Sequence, residues 1–308
     1  MPSAAIIVNP TKLVREPDAR RLIDEMATRS GWDPPTWIET TQDDPGRSMA
    51  ARAAEDGYDL IVAAGGDGTI RGVAGGLLGS GSRFGILPLG TGNLLARNLD
   101  IPLDLAGAVE VALRGIDRAI DVGEVIFDDR PAEPFLVITG AGLDADIMAN
   151  TNDNLKKLIG WGAYVEAGGR ASLRVGFTAA MTSGGQLEEP QQRHIRSYLV
   201  CNCGVLTAGI TLVPQAKIDD GLLDIVTLAP YGAAGLMALG FVVATGTPLS
   251  DRLMSHTASP QSDASFHRPV EAQIDGDAVG RVSRIRTRVL PAALTVRVPE
   301  SPSLATAD

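Results

Sequence analysis

The chain runs to 308 residues, room for one large domain or, at ~150 residues each, for two. Its 44% hydrophobic and 21% charged residues exclude a mainly disordered chain. With 37 acidic against 27 basic side chains the net charge is −10, a sign that repels phosphate backbones; no basic run offsets it, so no nucleic-acid partner is expected.

Residues 4–8 form a continuous apolar run that predicts a strand ending at Asn9-Pro10. A helix is expected over 16–30, with Leu22, Ile23 and Met26 on one face, then a strand over 36–40 and an Ala-rich helix over 48–55. Residues 59–64 (Asp-Leu-Ile-Val-Ala-Ala) are apolar after the first, which predicts a strand buried on both faces. It runs into Gly65-Gly66-Asp67-Gly68-Thr69 and a helix to about residue 78. Residues 84–89 repeat the plan and end at Gly90-Thr91-Gly92-Asn93 before another helix. Two successive strands thus end in glycine turns at helix N-termini, where open α/β sheets take their ligands.

From about residue 121 short strands are expected at 120–126, 135–140, 173–180, 196–202, 221–228, 270–274 and 294–298, interrupted by helices over 147–168 and 232–253 and a Ser- and His-rich loop over 255–268. The fold class is therefore α/β: an N-terminal Rossmann-like α/β domain over 1–125 and a C-terminal antiparallel β-sandwich domain over 126–299, with 300–308 a frayed tail. The longest apolar run, 232–246, is shorter than the ~18 residues that span a bilayer, and no basic segment opens the chain ahead of an apolar one. No transmembrane segment and no secretory signal are expected, and a cytoplasmic location is. Cys201 and Cys203, two apart in a strand, read as small buried side chains. His194, His256 and His267 lack metal spacing and read as surface or loop residues.

The sharpest feature is Gly65-Gly66-Asp67-Gly68-Thr69. Adjacent glycines let main-chain N–H groups approach a phosphate, and the following helix N-terminus adds positive partial charge. An Asp inside such a turn suits a Mg²⁺ ion or a hydroxyl, or else caps the helix. Gly90-Thr91-Gly92-Asn93 repeats the logic one strand later, and Asn9 faces the same place. In the second half, Lys217-Ile218-Asp219-Asp220-Gly221-Leu222-Leu223-Asp224 offers hard oxygen ligands for a divalent cation or forms a solvated turn. Asp275-Gly276-Asp277 closes another strand and supplies either a general base or a plain hairpin turn.

Together these residues resemble the diacylglycerol kinase catalytic family, the lipid kinases that include bacterial diacylglycerol kinases and sphingosine kinases. Gly65 to Thr69 and Leu87-Pro88-Leu89-Gly90-Thr91-Gly92-Asn93 resemble its two nucleotide motifs, Pro214 through Asp224 its "P-x-A-x-x-D-D-G-x-L-D" segment, and Asp275-Gly276-Asp277 its "D-G-E" element. The resemblance implies ATP bound between an α/β domain and a β-sandwich, with the active site in the cleft between them, and Mg²⁺-dependent phosphorylation of a lipid hydroxyl. It assigns nucleotide contacts to Asn9, Thr41 (with Thr40 as competitor), Gly65, Gly66, Asp67, Gly68, Thr69, Thr91 and Asn93. It assigns a structural Mg²⁺ to the Asp220 side chain and the Lys217 and Leu222 carbonyls. The proton acceptor falls at Asp277, with Asp275 nearby, and Asp67 organises the catalytic Mg²⁺. Three positions depart from the family pattern: Asn9-Pro10-Thr11-Lys12 lacks the usual Ser-Gly and offers Lys12 to phosphate, Arg71 stands where Asn is frequent, and Asp277 replaces Glu.

The implied partners are ATP and a lipid substrate at or from the membrane surface, with the protein peripheral at the inner face and room for a homodimer. The helix expected at 147–168, with Trp161 and Tyr164 beside Lys156 and Lys157, suits either an interface or a protein core. Competing readings are an NAD kinase-like phosphotransferase, which shares a Gly-Gly-Asp-Gly-Thr loop, and a nucleotide-binding regulatory module without catalysis.

Overall fold

A computed structural model describes residues 1–14, 18–142, 176–183, 189–206, 211–229 and 254–300. The helices expected at 147–168 and 232–253 lie outside the described residues. The chain divides into two units, Met1–Ile120 with Ala292–Asp308, and Asp121–Pro291.

In the first unit the elements follow as β1 (Ala4–Val8), α1 (Pro10–Leu13), α2 (Ala19–Arg29), β2 (Thr36–Glu39), α3 (Arg47–Glu55), β3 (Leu60–Gly65), α4 (Asp67–Leu77), β4 (Arg83–Pro88), α5 (Leu94–Asn98) and α6 (Leu105–Arg114). The unbroken apolar runs of β1 and β3 are buried along their whole length, as strands covered on both faces must be. All pairs are parallel: β2 on β1, β1 on β3, β3 on β4. In this register Val8 lies opposite Ala64 and Gly65 opposite Pro88, so the turns after β1, β3 and β4 open at one edge of the sheet. No element is expected over 105–114, where α6 forms; Asp104 caps it by accepting from the Gly107 N–H, and Ala108, Val109, Ala112 and Leu113 are buried.

The strands that follow are β5 (Ile116–Phe127), β6 (Glu133–Phe135), β7 (Ile138–Gly142), β8 (Phe177–Ser183), β9 (Gln191–Ile195), β10 (Ser197–Cys201), β11 (Leu223–Leu228), β12 (Met254–Ser259), β13 (Gln261–Ile274) and β14 (Asp277–Val298). The end of β14 belongs to the first unit, where Thr295 and Val296 pair parallel with Arg83 and Phe84 of β4. In the second unit the pairing is antiparallel, in the order β12-β11-β10-β7-β13-β14, with β8 on β13 and β9 on β8. Phe127, Phe135, Phe177, Tyr198, Phe266 and Ile285 fill its core. The loop expected at 255–268 is instead β12 and the first half of β13. Its inward positions alternate as Ser262, Ala264 and Phe266, and with Phe266 the one large apolar side chain of the three, an apolar period of two is faint in the sequence. Ser262 is accommodated there because the Tyr198 hydroxyl, at 2.7 Å, and the Thr287 hydroxyl, at 2.6 Å, share hydrogen bonds with it.

Candidate active site

The two glycine turns of the first unit are packed on each other. Leu89 N–H donates to the Gly65 carbonyl at 2.8 Å. A Cβ on Gly90 would stand 2.7 Å from Gly66 Cα and 2.8 Å from Asn93 Oδ1, and one on Gly92 would stand 2.7 Å from Asp67 Oδ2. A Cβ on Gly66 would meet nothing nearer than Gly90 Cα at 3.5 Å, an ordinary contact. Glycine at 90 and 92 is therefore required by turn-on-turn packing, whereas at 66 the fold alone does not demand it.

Asp67 ties the turns together. From the first turn of α4 its Oδ1 accepts the Leu94 N–H at 2.6 Å and its Oδ2 the Asn93 N–H at 3.0 Å. The carboxylate thus caps α5, whose first residues no side chain of α5 itself serves, and its charge sits where the helix dipole favours an anion. The N-cap of α4 is Gly66, which has no side chain with which to serve the first N–H groups of that helix. Thr69 is buried against Gly65. Asn93 is 5% exposed and held at φ +51°, with Oδ1 accepting from Gly90 N–H and Nδ2 donating to the Pro88 and Gly90 carbonyls. Its side chain shapes the turn, while Thr91 beside it is exposed.

Asn9 ends β1 and caps α1, its Oδ1 accepting from the N–H and hydroxyl of Thr11 at 3.0 and 2.7 Å. Lys12 lies in the same short helix and Arg71 on α4, both half-buried. Thr40 is buried and Thr41 exposed. Thr41 and Asp44 close the next loop, Thr41 N–H donating to the Asp44 carbonyl and Asp44 N–H to Thr41 Oγ1. Asp44 then caps α3. Burial pushes its carboxyl up, but hydrogen bonds from the Ser48 hydroxyl and the N–H groups of Gly46, Arg47 and Ser48 outweigh that and hold it below its ordinary value.

In the second unit the acidic turn is organised by a residue that the motif does not contain. Asp121, 3% exposed on β5, donates its N–H to the Ile218 carbonyl at 2.7 Å and accepts from the Gly221 N–H at 2.6 Å through Oδ2. Asp220, exposed, accepts from Leu222 N–H at 3.1 Å. Among the described residues no three His, Cys, Asp or Glu side chains gather to hold a metal, so a cation here must draw on carbonyls. One carboxylate with the carbonyls of Lys217 and Leu222 is a hard oxygen donor set, and it fits Mg²⁺ or Ca²⁺ in kind. A buried acceptor nearby points the same way: Asn202 Nδ2 donates to the carbonyls of Asp121 and Leu136, and its Oδ1, fully enclosed, has no partner among the described residues.

Asp275-Gly276 forms the two-residue turn between β13 and β14, and Asp277 opens β14. Ile274 pairs with Asp277, and Asp275 and Gly276 take φ values of +46° and +89°, as a type I′ hairpin requires. The two carboxylates have separate fates. Asp275 is 4% exposed and accepts the N–H groups of Leu136, Val137 and Ile138 at 3.0, 2.9 and 3.0 Å. Asp277 is exposed. Hydrogen bonds run from Gly221 through Asp121, Asn202 and Leu136 to Asp275, which places the acidic turn and the hairpin in one network. Sequence motifs miss Asp121 and Asn202; a lone Asp between the buried Ile120 and Val122 is the signal that marks the first.

Cys201 and Cys203 are buried and not joined in a disulfide. The histidines stand in strands rather than loops: His194 on β9, His267 on β13 and His256 on β12, where its ring meets Asp224. An isolated surface role is wrong for His256, because a buried carboxylate on the neighbouring strand partners it.

Residues 3–125 match the family model of the diacylglycerol kinase catalytic domain, and residues 138–298 that of the YegS C-terminal NAD kinase beta sandwich-like domain. The chain is 32% identical over 281 residues to a Pseudomonas aeruginosa protein named "Probable lipid kinase YegS-like", covering 89% of this chain and 85% of that one. It is 29% identical over 287 residues to a diacylglycerol kinase of Bacillus subtilis, covering 91% of each. The crystal structure of a diacylglycerol kinase from Bacillus anthracis is similar with a TM-score of 0.69 at 20% identity, over 96% of both chains, which is a likeness of fold.

Proposed function

The chain belongs to the YegS-like lipid kinases, with a diacylglycerol kinase catalytic domain followed by a YegS-type β-sandwich domain, and from that premise we propose that it transfers the γ-phosphoryl group of ATP to the hydroxyl of diacylglycerol or a related lipid. The observation that carries the nucleotide half is the pair of glycine turns locked together by Asp67 at the N-terminus of α4, whose N-cap is a glycine. Phosphoryl transfer asks a protein mainly for positioning and charge neutralisation, and main-chain N–H groups at a helix start supply both. Gly65, Gly66, Gly68 and Thr69 present that main chain to the phosphates, with Asn9, Thr41 and Thr91 around them. Asn93 acts through the turn that it closes. Asp67 acts by holding the second turn, in addition to any part in placing the catalytic cation.

Asp277 takes the proton of the acceptor hydroxyl. Asp277 is exposed at the surface, within reach of a substrate, whereas Asp275, enclosed by three N–H donors, holds the hairpin in place. Asp220, Lys217 and Leu222 hold Mg²⁺, which when bound supplies positive charge to the turn. The lipid is met at the inner membrane surface by an otherwise cytoplasmic protein. Isothermal titration of ATP in the presence of Mg²⁺ against wild type and Gly66→Ala tests the nucleotide half. Saturable binding by the wild type and loss in the variant are expected, and equal affinity of the two would refute the assignment.

A further inference from the structure

Gln215 and Asp224 bracket the turn that carries Lys217, Asp220 and Leu222, and both end on a single imidazole. His256 meets Asp224 Oδ1 through Nε2 at 2.5 Å and the Gln215 side-chain nitrogen through Nδ1 at 3.1 Å. The partners set the tautomer: a carboxylate oxygen accepts, so Nε2 carries the proton, and Nδ1 then accepts from the Gln215 amide. Asp224 is 5% exposed on β11, paired with Ala258, while His256 lies opposite Val226, so the ring reaches diagonally back to Asp224. The first of these contacts links the neighbouring strands β11 and β12. The second reaches beyond both strands to the exposed Gln215, at the other end of the turn. Between the two ends, Asp121 holds the middle through Ile218 and Gly221.

We propose that His256 is a positioning residue for this turn: by holding residues 215 and 224 to one ring, it fixes the spacing of the turn's ends and so the arrangement of the Asp220 carboxylate and the Lys217 and Leu222 carbonyls toward a divalent cation. The inference rests on reading the turn as the Mg²⁺ site. Groups that orient metal ligands from outside the ligand set change metal affinity by roughly 10- to 100-fold when removed.

The test is Mg²⁺ binding to the full chain without ATP, read by isothermal titration and by the Mg²⁺-induced rise in melting temperature. The variants are His256→Phe, His256→Gln, Gln215→Ala and Asp220→Ala. His256→Phe keeps the ring's bulk and loses both contacts, so Mg²⁺ affinity falls by roughly 10-fold or more. His256→Gln, able to donate to Asp224, recovers part of the loss. Gln215→Ala, at an exposed site, weakens Mg²⁺ binding while the melt in EDTA stays at the wild-type value, which separates positioning from folding even where His256→Phe is less stable. Wild-type Mg²⁺ affinity in both His256→Phe and Gln215→Ala, with binding lost in Asp220→Ala, overturns the role of His256 alone. Undiminished binding in Asp220→Ala overturns the metal site beneath it.

Discussion

The carboxylate of Asp67 accepts the main-chain N–H of Asn93 at 3.0 Å, joining two glycine turns 26 residues apart in the chain. A residue whose sequence context suggests a metal ligand is also the cap of α5, so its removal has two separable consequences. Asp67→Ala should abolish ATP-dependent transfer and also lower stability by about 1–2 kcal/mol, the usual range for a lost cap with buried N–H groups left unserved. Asp67→Asn, which keeps one acceptor, should recover part of that stability and none of the activity. Denaturant melts and turnover on the same preparations check both; an unchanged melt for Asp67→Ala would contradict the capping role.

The glycines separate in the same way. Gly90→Ala forces a Cβ to 2.7 Å from Gly66 Cα, and overpacking of this kind costs about 1–3 kcal/mol. Gly66→Ala meets only an ordinary contact, so it should melt like wild type and yet bind ATP poorly. Melting temperature set beside ATP affinity for the two variants gives opposite orders if the assignment is right.

Asp275 and Asp277, two residues apart, should also part company. Asp277→Asn should cut turnover by about 10²- to 10⁴-fold with stability unchanged, the range for a lost general base. Asp275→Asn should chiefly destabilise, because three N–H groups lose a carboxylate. Equal turnover loss with equal stability in the two variants would contradict the division of labour.

In the first unit Asp117 accepts from Arg83 at the start of β4 and from Arg297 near the end of β14, and Arg297 also donates to the carbonyls of Ala112 and Leu113 at the C-terminus of α6. Burial pushes the Asp117 carboxyl up, but the hydrogen bonds from Arg297 and Arg83 outweigh it and hold the carboxyl below its ordinary 3.8. A folded-state value below the unfolded one means stability that is present above the unfolded value and lost as pH falls through the folded one. The stability gap between wild type and Asp117→Asn should therefore be constant at neutral pH and shrink as the pH falls below about 4. Melts across that range check it, and a gap that widens in acid would contradict the sign.

Much of this is legible in the sequence where the cause is local. The apolar runs of β1 and β3 announce a parallel sheet, and the glycines after β3 and β4 announce tight turns at helix starts. Where the cause is distant, the sequence is mute. Gly90 and Gly92 are needed because Gly66 and Asp67, on the preceding turn, come up against them. Residues 255–268 read as a loop because Ser262 is an inward position whose partners, Tyr198 and Thr287, are 64 and 25 residues away. His256 looks idle because Gln215 and Asp224 precede it by 41 and 32 residues. Asp121 belongs to the acidic turn through contacts with Ile218 and Gly221, the second 100 residues away in the chain.

The most direct test of the central claim is incubation of the full chain with labelled ATP, Mg²⁺ and, in parallel, diacylglycerols, phosphatidylglycerol, sphingoid bases and NAD. Label should appear in a lipid, diacylglycerol or a near relative, and should vanish with Asp277→Asn and with Gly66→Ala. Label in NAD, or ATP bound without transfer to any lipid, would contradict the account.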